Sequence, residues 1–260
     1  MKNPVKVLIL RIVNLYRGSS IKPFGGFLRR LYLRYFQEKM KEDKMVASKI
    51  DGIKYELNLN QYSELETHYG GGYEPEVIKI FNKYVKPGMT IIDIGARIGL
   101  HTMRLKKLVG KEGQVIAFEP DNITFLRLVE NARLNNFDIV AENKALSDKS
   151  SGKEVALDDF FKENKIKKLD FIKLDTDGYE YQIIKGGLNT LRKFNPVMVI
   201  EFNKNAFENG SLEPMIDLLR SVDYSFFRRT SLEEYPDKES IFSEFDIKNG
   251  VNILCKPKNK

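Results

Sequence analysis

The chain has one cysteine, Cys255, in 260 residues, so neither an intrachain disulfide nor a cysteine metal cluster can form. Such scarcity suits a reducing compartment, and the cytoplasm is the expected location. Long apolar runs are missing as well. The longest near the start, Val7 to Leu10, is cut by Arg11 and resumes only for Ile12 and Val13, far short of the roughly 20 residues a membrane-spanning helix needs. No Ala-x-Ala-like cleavage site follows it, which argues against a secretory signal. Tryptophan is absent, without functional meaning, and no internal repeat or low-complexity tract interrupts the chain.

What remains is an ordinary globular composition, 42% hydrophobic and 30% charged in 30.1 kDa. That length holds one large α/β domain, with or without an extension, but not two full domains. The net charge of +7 is unevenly placed: residues 1–41 hold ten Lys and Arg against Glu38 alone, leaving the rest of the chain at −2. In this leader Lys6, Arg11, Asn14 and Arg17 share one helical arc, with Val5, Leu8, Ile9 and Ile12 on the other. Phe27, Leu28, Leu31 and Tyr35 make a second stripe beside Arg30 and Arg34. Two readings stand for residues 1–41. They are helices packing on the body or on a second subunit, or they contact anionic lipid at the inner face of the membrane, at about 1 kcal/mol per basic residue.

The chain divides into a basic amphipathic helical extension (1–45), a lead-in (46–88) and a body of alternating strands and helices (89–260). In the body, Thr90–Ile94, Gln114–Phe118, Asp138–Ala145, Asp170–Leu174 and Pro196–Glu201 read as strands. Helices are expected over Leu100–Val109, Asn122–Asn135 and Tyr179–Leu191, with another beginning at Leu157. Such alternation implies a mainly parallel Rossmann-like sheet with its ligand crevice at the strands' carboxyl ends. Tyr224–Phe227 and Val251–Cys255 have no long helix between them and read as an antiparallel hairpin closing the sheet.

The chemistry begins at Asp93-Ile-Gly95-Ala-Arg97-Ile-Gly99, between the first of these strands and its helix. Gly95 allows a sharp turn and removes a side chain from the path of a ligand, and Gly99 lets the helix start close to the sheet. The Gly-x-x-x-Gly spacing departs from the Gly-x-Gly-x-x-Gly of dinucleotide binders. Glu119 ends the second strand, 24 residues after Gly95, where a carboxylate can accept hydrogen bonds from both ribose hydroxyls of an adenosine.

In order along the chain stand DIGARIG (93–99), AFEPD (117–121), NARLNN (131–136), ALSD (145–148), LDDF (157–160), FIKLDTDGYE (171–180), KGG (185–187) and VIEFN (199–203). This series resembles the FkbM-type methyltransferases, a class I family dependent on S-adenosylmethionine and usually associated with O-methylation. The resemblance implies that residues 89–260 form the donor-binding domain, with Asp93, Gly95, Ala96, Arg97, Gly99 and Glu119 around S-adenosylmethionine. Pro120, Ala145 and Leu146 join them on the same ground. Tyr69-Gly-Gly-Gly-Tyr-Glu74-Pro-Glu76 resembles the family's segment ahead of the first strand, where Glu74 can reach the donor's amino acid end; a plain glycine turn before a helix beginning at Pro75 is the other reading. Arg97 stands where the family usually has Asn, and a guanidinium cannot accept the hydrogen bonds an amide can.

Class I transfer is an in-line displacement on a sulfonium methyl, which leaves the protein to position the acceptor and remove its proton. Asp175 is the first candidate for orienting the acceptor or acting as base, with Asp177 assisting, since neighbouring carboxylates raise one another's pKa. Asp177 also reads as a helix N-cap. Lys173 is either an ion-pair partner for these acids or a solvated strand residue, and His68 is an alternative acceptor-side base. Asp175, Asp177, Glu201 and Asn203 could together hold a divalent cation such as Mg²⁺. A small-molecule, glycan or lipid-linked acceptor is expected from the resemblance alone. The competing readings are an RNA methyltransferase and a non-catalytic binding protein. Against RNA, the fourth strand ends in DTDG rather than in an Asn-Pro-Pro-Tyr-type base clamp.

Overall fold

A computed structural model of the chain describes residues 44–244 and 250–258, together with Pro4, Val7 and Leu8. The expectations for the leader therefore lie outside the described residues, apart from Val7, which packs beside Leu59, Leu65 and Tyr69.

The elements in chain order are β1 (Met45–Ile50), β2 (Ile53–Asn58), α1 (Tyr62–Gly70), α2 (Pro75–Tyr84), β3 (Thr90–Ile94), α3 (Leu100–Val109), β4 (Gln114–Phe118) and α4 (Asn122–Leu134). There follow β5 (Val140–Glu142), β6 (Ala145–Ser147), β7 (Glu154–Ala156), α5 (Leu157–Glu163), β8 (Phe171–Leu174), α6 (Glu180–Lys185), α7 (Leu188–Phe194) and β9 (Val197–Phe202). The last are α8 (Lys204–Glu208), α9 (Leu212–Arg220), β10 (Tyr224–Arg228), α10 (Lys238–Glu244) and β11 (Val251–Pro257).

Seven strands form one sheet in the order β10-β11-β9-β8-β3-β4-β5. All neighbours run parallel except β11, which is antiparallel to both β9 and β10. This is the class I methyltransferase arrangement: the chain starts in the middle, winds outward both ways, and inserts its last strand reversed. The central strands are apolar on both faces. Ile92, Ile116, Ile172 and Leu174 pack under α5, α6, α7 and α9. Ile91, Val115, Phe171 and Val199 meet Phe81 of α2 and Leu105 of α3 on the other side. Burying each such side chain contributes about 1.5–3 kcal/mol.

Three sequence expectations need correction. The strand expected over Asp138–Ala145 is two, β5 at the edge of the main sheet and β6 in a separate parallel pair with β7. The helix expected over Tyr179–Leu191 breaks into α6 and α7 at Gly186-Gly187, because the Ser147 backbone passes so close that a Cβ on Gly186 would lie 2.1 Å from its carbonyl oxygen. The lead-in holds the antiparallel hairpin β1–β2, which the sequence reading left without strands. Its Ile50, Ile53, Tyr55 and Leu57 share a cluster with Ala96 and Ile98 of the glycine loop and Leu128 of α4, so the hairpin lies over the carboxyl edge of the sheet.

Candidate functional site

The parallel register sets Asp93 of β3 opposite Lys173 of β8, and both are buried in an otherwise apolar stretch. A buried ammonium requires partners. Lys173 Nζ lies 3.2 Å from Asp175 Oδ2, 3.6 Å from Asp93 Oδ1 and 3.2 Å from the Gly95 carbonyl oxygen. It is the ion-pair residue of the floor, and the solvated alternative falls away. Asp93 Oδ2 accepts a 2.6 Å hydrogen bond from the Thr102 hydroxyl in the first turn of α3, while Asp93 Oδ1 is buried without a hydrogen-bond donor.

Gly95 has φ +76°, and a Cβ there would lie 1.8 Å from the Asp175 carbonyl oxygen. Its missing side chain makes room for the tip of β8 rather than for a ligand, which corrects the reason inferred from sequence. Gly99, at φ +88°, leaves room for Leu128 of α4, 2.7 Å from where its Cβ would stand. Between them Arg97 sits at φ +51°. Asn enters this left-handed region more readily than Arg, so the geometry explains the family's usual residue and makes Arg97 the strained choice, at about 1 kcal/mol.

The second strand tip meets the same loop. Glu119 Oε2 accepts from the Arg97 backbone N–H at 2.8 Å and Oε1 accepts from the Asp121 N–H at 2.9 Å. Each oxygen keeps a further lone pair. Burial, the larger influence, holds the Glu119 carboxyl above its ordinary range against the opposing pull of these two N–H groups.

A cleft of about 690 Å³ opens above this floor, between the glycine loop, Lys173 and Asp175 on one side and β2 with the start of α1 on the other. The far wall is tied down by Arg127 of α4. Its guanidinium donates to both carboxylate oxygens of Glu64, at 2.9 and 2.6 Å, and to the Glu56 carbonyl at 3.2 Å. Tyr73 and His101 close one end.

The acids at the β8 and β9 tips come together. Ligand oxygens of Asp175, Asp177 and Glu201 lie within 4.8 Å of one another, and Asp175 and Glu201 share a hydrogen bond. Burial, followed by the Asp175 charge, pushes the Glu201 carboxyl up to about 9, so near neutrality it carries the shared proton. Burial also opposes ionisation of Asp175, yet Lys173 and the Glu201 hydrogen bond outweigh it and hold that carboxyl below its ordinary value. The acid pair expected from sequence was Asp175 with Asp177; in the structure the partner that shares the proton is Glu201.

Several expected site residues stand elsewhere. Asn203, taken as a metal ligand, is turned into the fold: its Oδ1 accepts from the Ala206 N–H at 2.9 Å and its Nδ2 donates to Glu180 at 3.1 Å. His68 is buried in α1 with Nδ1 2.5 Å from the Ser48 hydroxyl, and it does not line the cleft. Glu74, Asp93, Gly99, Glu119, Pro120, Ala145 and Leu146 do not line it either; Glu119 sits behind the glycine loop, and Leu146 belongs to the core under the sheet. Glu74, at φ +50° before α2, has one oxygen 2.9 Å from His101 Nε2 and accepts from Asn252 Nδ2 with the other, also at 2.9 Å. Asp177 does not cap α6, whose N-cap Tyr179 makes no side-chain cap; Glu180 Oε1 instead accepts from the Thr176 and Gly178 N–H groups of the turn ahead of the helix. Sequence reasoning passed over Tyr73, Thr102, Arg127 and Asn252. For Asn252 a signal was present, a lone amide inside the apolar run Val251 to Leu254.

Residues 152–226 match the family model described as the methyltransferase FkbM domain. The matched stretch holds Lys173, Asp175, Asp177, Glu201 and Asn203, and leaves the glycine loop and Glu119 outside it. The chain is 24% identical over 150 residues to the hexuronic acid methyltransferase AglP of Haloferax volcanii, covering 48% of this chain and 61% of that protein. It is 36% identical over 62 residues to the ribosomal protein L11 methyltransferase of Caldicellulosiruptor bescii, covering 24% of this chain and 20% of that one. The alignments thus span less than two thirds of either relative. Among solved structures, the FkbM methyltransferase of Methylobacillus flagellatus superposes with a TM-score of 0.47 at 16% identity, covering 89% of this chain and 60% of that one. Among the described residues no helix is long and apolar enough to cross a membrane.

Proposed function

We propose that the chain binds S-adenosylmethionine in this cleft and methylates an oxygen of a sugar or glycan acceptor. The observation that carries the reading is the glycine loop lining the cleft with Glu119 bound directly behind it at the β4 tip, where two backbone N–H groups hold the carboxylate and leave lone pairs for a ribose. The rest of the floor fits the same donor: Lys173 and Asp175 line the cleft with Asp93 buried behind Lys173, and the surplus of carboxylates over Lys173 favours a cationic guest. When bound, S-adenosylmethionine supplies a sulfonium methyl for in-line displacement. Glu119 would hold its ribose hydroxyls, and Lys173, positioned by Asp93 behind it, its amino acid end.

Asp175, kept ionised by Lys173, accepts the hydrogen bond of an acceptor hydroxyl and orients it. Glu201 donates to Asp175 and limits where that carboxylate points, while Asp177 stands exposed beside the pair. The sugar acceptor rests on family likeness and on the hexuronic acid named for the Haloferax relative. Calorimetry with S-adenosylhomocysteine tests the donor half. Glu119→Ala should weaken binding by about 10- to 100-fold, the worth of a charged hydrogen-bonding group. Absence of heat with the unaltered chain refutes the reading. For the chemistry, Asp175→Ala should abolish a 14 Da gain on glycans while leaving donor affinity within a few fold.

A further inference from the structure

Among the described residues that line the cleft, three carry full positive charges, and two are neutralised. Arg127 is forked onto Glu64. Lys173 lies between Asp175 and Asp93 at the buried floor. The third, Arg97, is exposed between buried Ala96 and Ile98, and its guanidinium makes no hydrogen bond or ion pair with any described residue. Its position is nevertheless fixed, because its backbone N–H is bound to Glu119 and both neighbouring side chains are in the core. The wall facing it offers Gln61 and Ser63, whose side chains bond to no described residue. Glu56 on the same wall is not within ion-pair distance of Arg97.

An arginine in a left-handed turn, anchored at the backbone and with no hydrogen bond or ion pair to a described residue at its tip, is placed to take an anion that arrives with a ligand; Glu119, whose carboxylate feels its charge, lies behind the loop. We propose that Arg97 is the anion-recognising residue of the acceptor site, binding a carboxylate or phosphate carried by the sugar while the facing wall meets its hydroxyls. This rests on the sugar methyltransferase reading above. The donor's own carboxylate would have Lys173 at the buried floor, whereas Arg97 lines the same cleft at an exposed position.

The test uses the full chain loaded with S-adenosylhomocysteine, titrated by NMR or calorimetry with glucuronate, glucose 6-phosphate and glucose. At least one anionic sugar should bind tenfold or more tightly than glucose, with a preference that shrinks in high salt. Arg97→Asn should erase that preference while S-adenosylhomocysteine affinity stays within about threefold, since the contact to Glu119 comes from the backbone. The variant suits the turn better than arginine, so misfolding does not confound it; a melting curve confirms this. The proposal is overturned if no anionic sugar outbinds glucose, or if the preference survives in Arg97→Asn. It is also overturned if the variant loses tenfold or more in S-adenosylhomocysteine affinity, which would assign the guanidinium to the donor's carboxylate. Failure of the unaltered chain to bind S-adenosylhomocysteine at all would instead remove the methyltransferase reading, whatever the sugars do.

Discussion

The shared proton at the β8 and β9 tips should be visible in stability. Glu201 is pushed from an ordinary 4.5 up to about 9 by burial and by Asp175. Between those values the native chain holds a proton that the unfolded chain has released. The native state binding more protons means that stability falls as pH rises, by at most about 1.4 kcal/mol per pH unit for one proton. Partial solvent access at Glu201 narrows this window rather than the slope, which corresponds to roughly 3–6 °C in melting temperature per unit for a chain of this size. Asp175 acts in the opposite sense but outside this window: its pKa is lowered, so its contribution is lost only on acidifying below the ordinary carboxylate range. Glu201→Gln keeps the shape and a donor toward Asp175 but cannot ionise. Melting curves of both proteins from pH 5 to 9 at constant ionic strength should diverge, the variant gaining on the unaltered chain with every unit. Parallel curves would refute the shared proton, because every other titrating group cancels in the difference.

Three further perturbations test the framework of the site. Gly95→Ala drives a methyl into the Asp175 carbonyl, 1.8 Å away, and should cost more than about 3 kcal/mol; a variant melting with the unaltered chain would contradict the close approach. Arg127→Ala leaves Glu64 buried without its counter-charge, at about 3 kcal/mol, and should open the β1–β2 hairpin to limited proteolysis before the sheet unfolds. Arg97→Asn should raise stability by about 1 kcal/mol in chemical denaturation by relieving the left-handed arginine, and a loss would mean that the side chain holds the loop.

Periodicity made the middle of the sheet legible. Thr90–Ile94, Leu100–Val109 and Gln114–Phe118 are bounded by turns that any strand or helix must respect, and their limits agree with the structure. The closing pair of strands was legible for a negative reason, since no helix long enough for a crossover separates the one from the other. What periodicity could not carry was close backbone approach. Gly186-Gly187 reads as two weak residues within one helix, and only the Ser147 carbonyl beneath it turns them into a break. The β1–β2 hairpin was missed because its inward residues Ile53, Tyr55 and Leu57 alternate with Lys54 and Glu56 over only six residues.

The site was legible as chemistry but not as pairing. Strand-tip position identified Asp93, Glu119, Lys173 and Asp175, because a parallel sheet puts its strand ends side by side whatever the side chains are. Which acid shares a proton with which depends on distances across β8 and β9, and on backbone direction beyond the tips. Asp177 is one residue past the turn, in a left-handed conformation and exposed, so its nearness in sequence to Asp175 does not become a buried contact. Glu201 is 26 residues farther along the chain than Asp175, yet its strand brings it into the same low-dielectric floor, where two carboxylates cannot both ionise cheaply. The pairing divides the labour. Lys173 and Glu201 keep Asp175 charged and oriented; on the methyl-transfer reading proposed above, an acceptor would meet a fixed hydrogen-bond acceptor, and replacing Glu201 should disturb acceptor orientation before it disturbs donor binding.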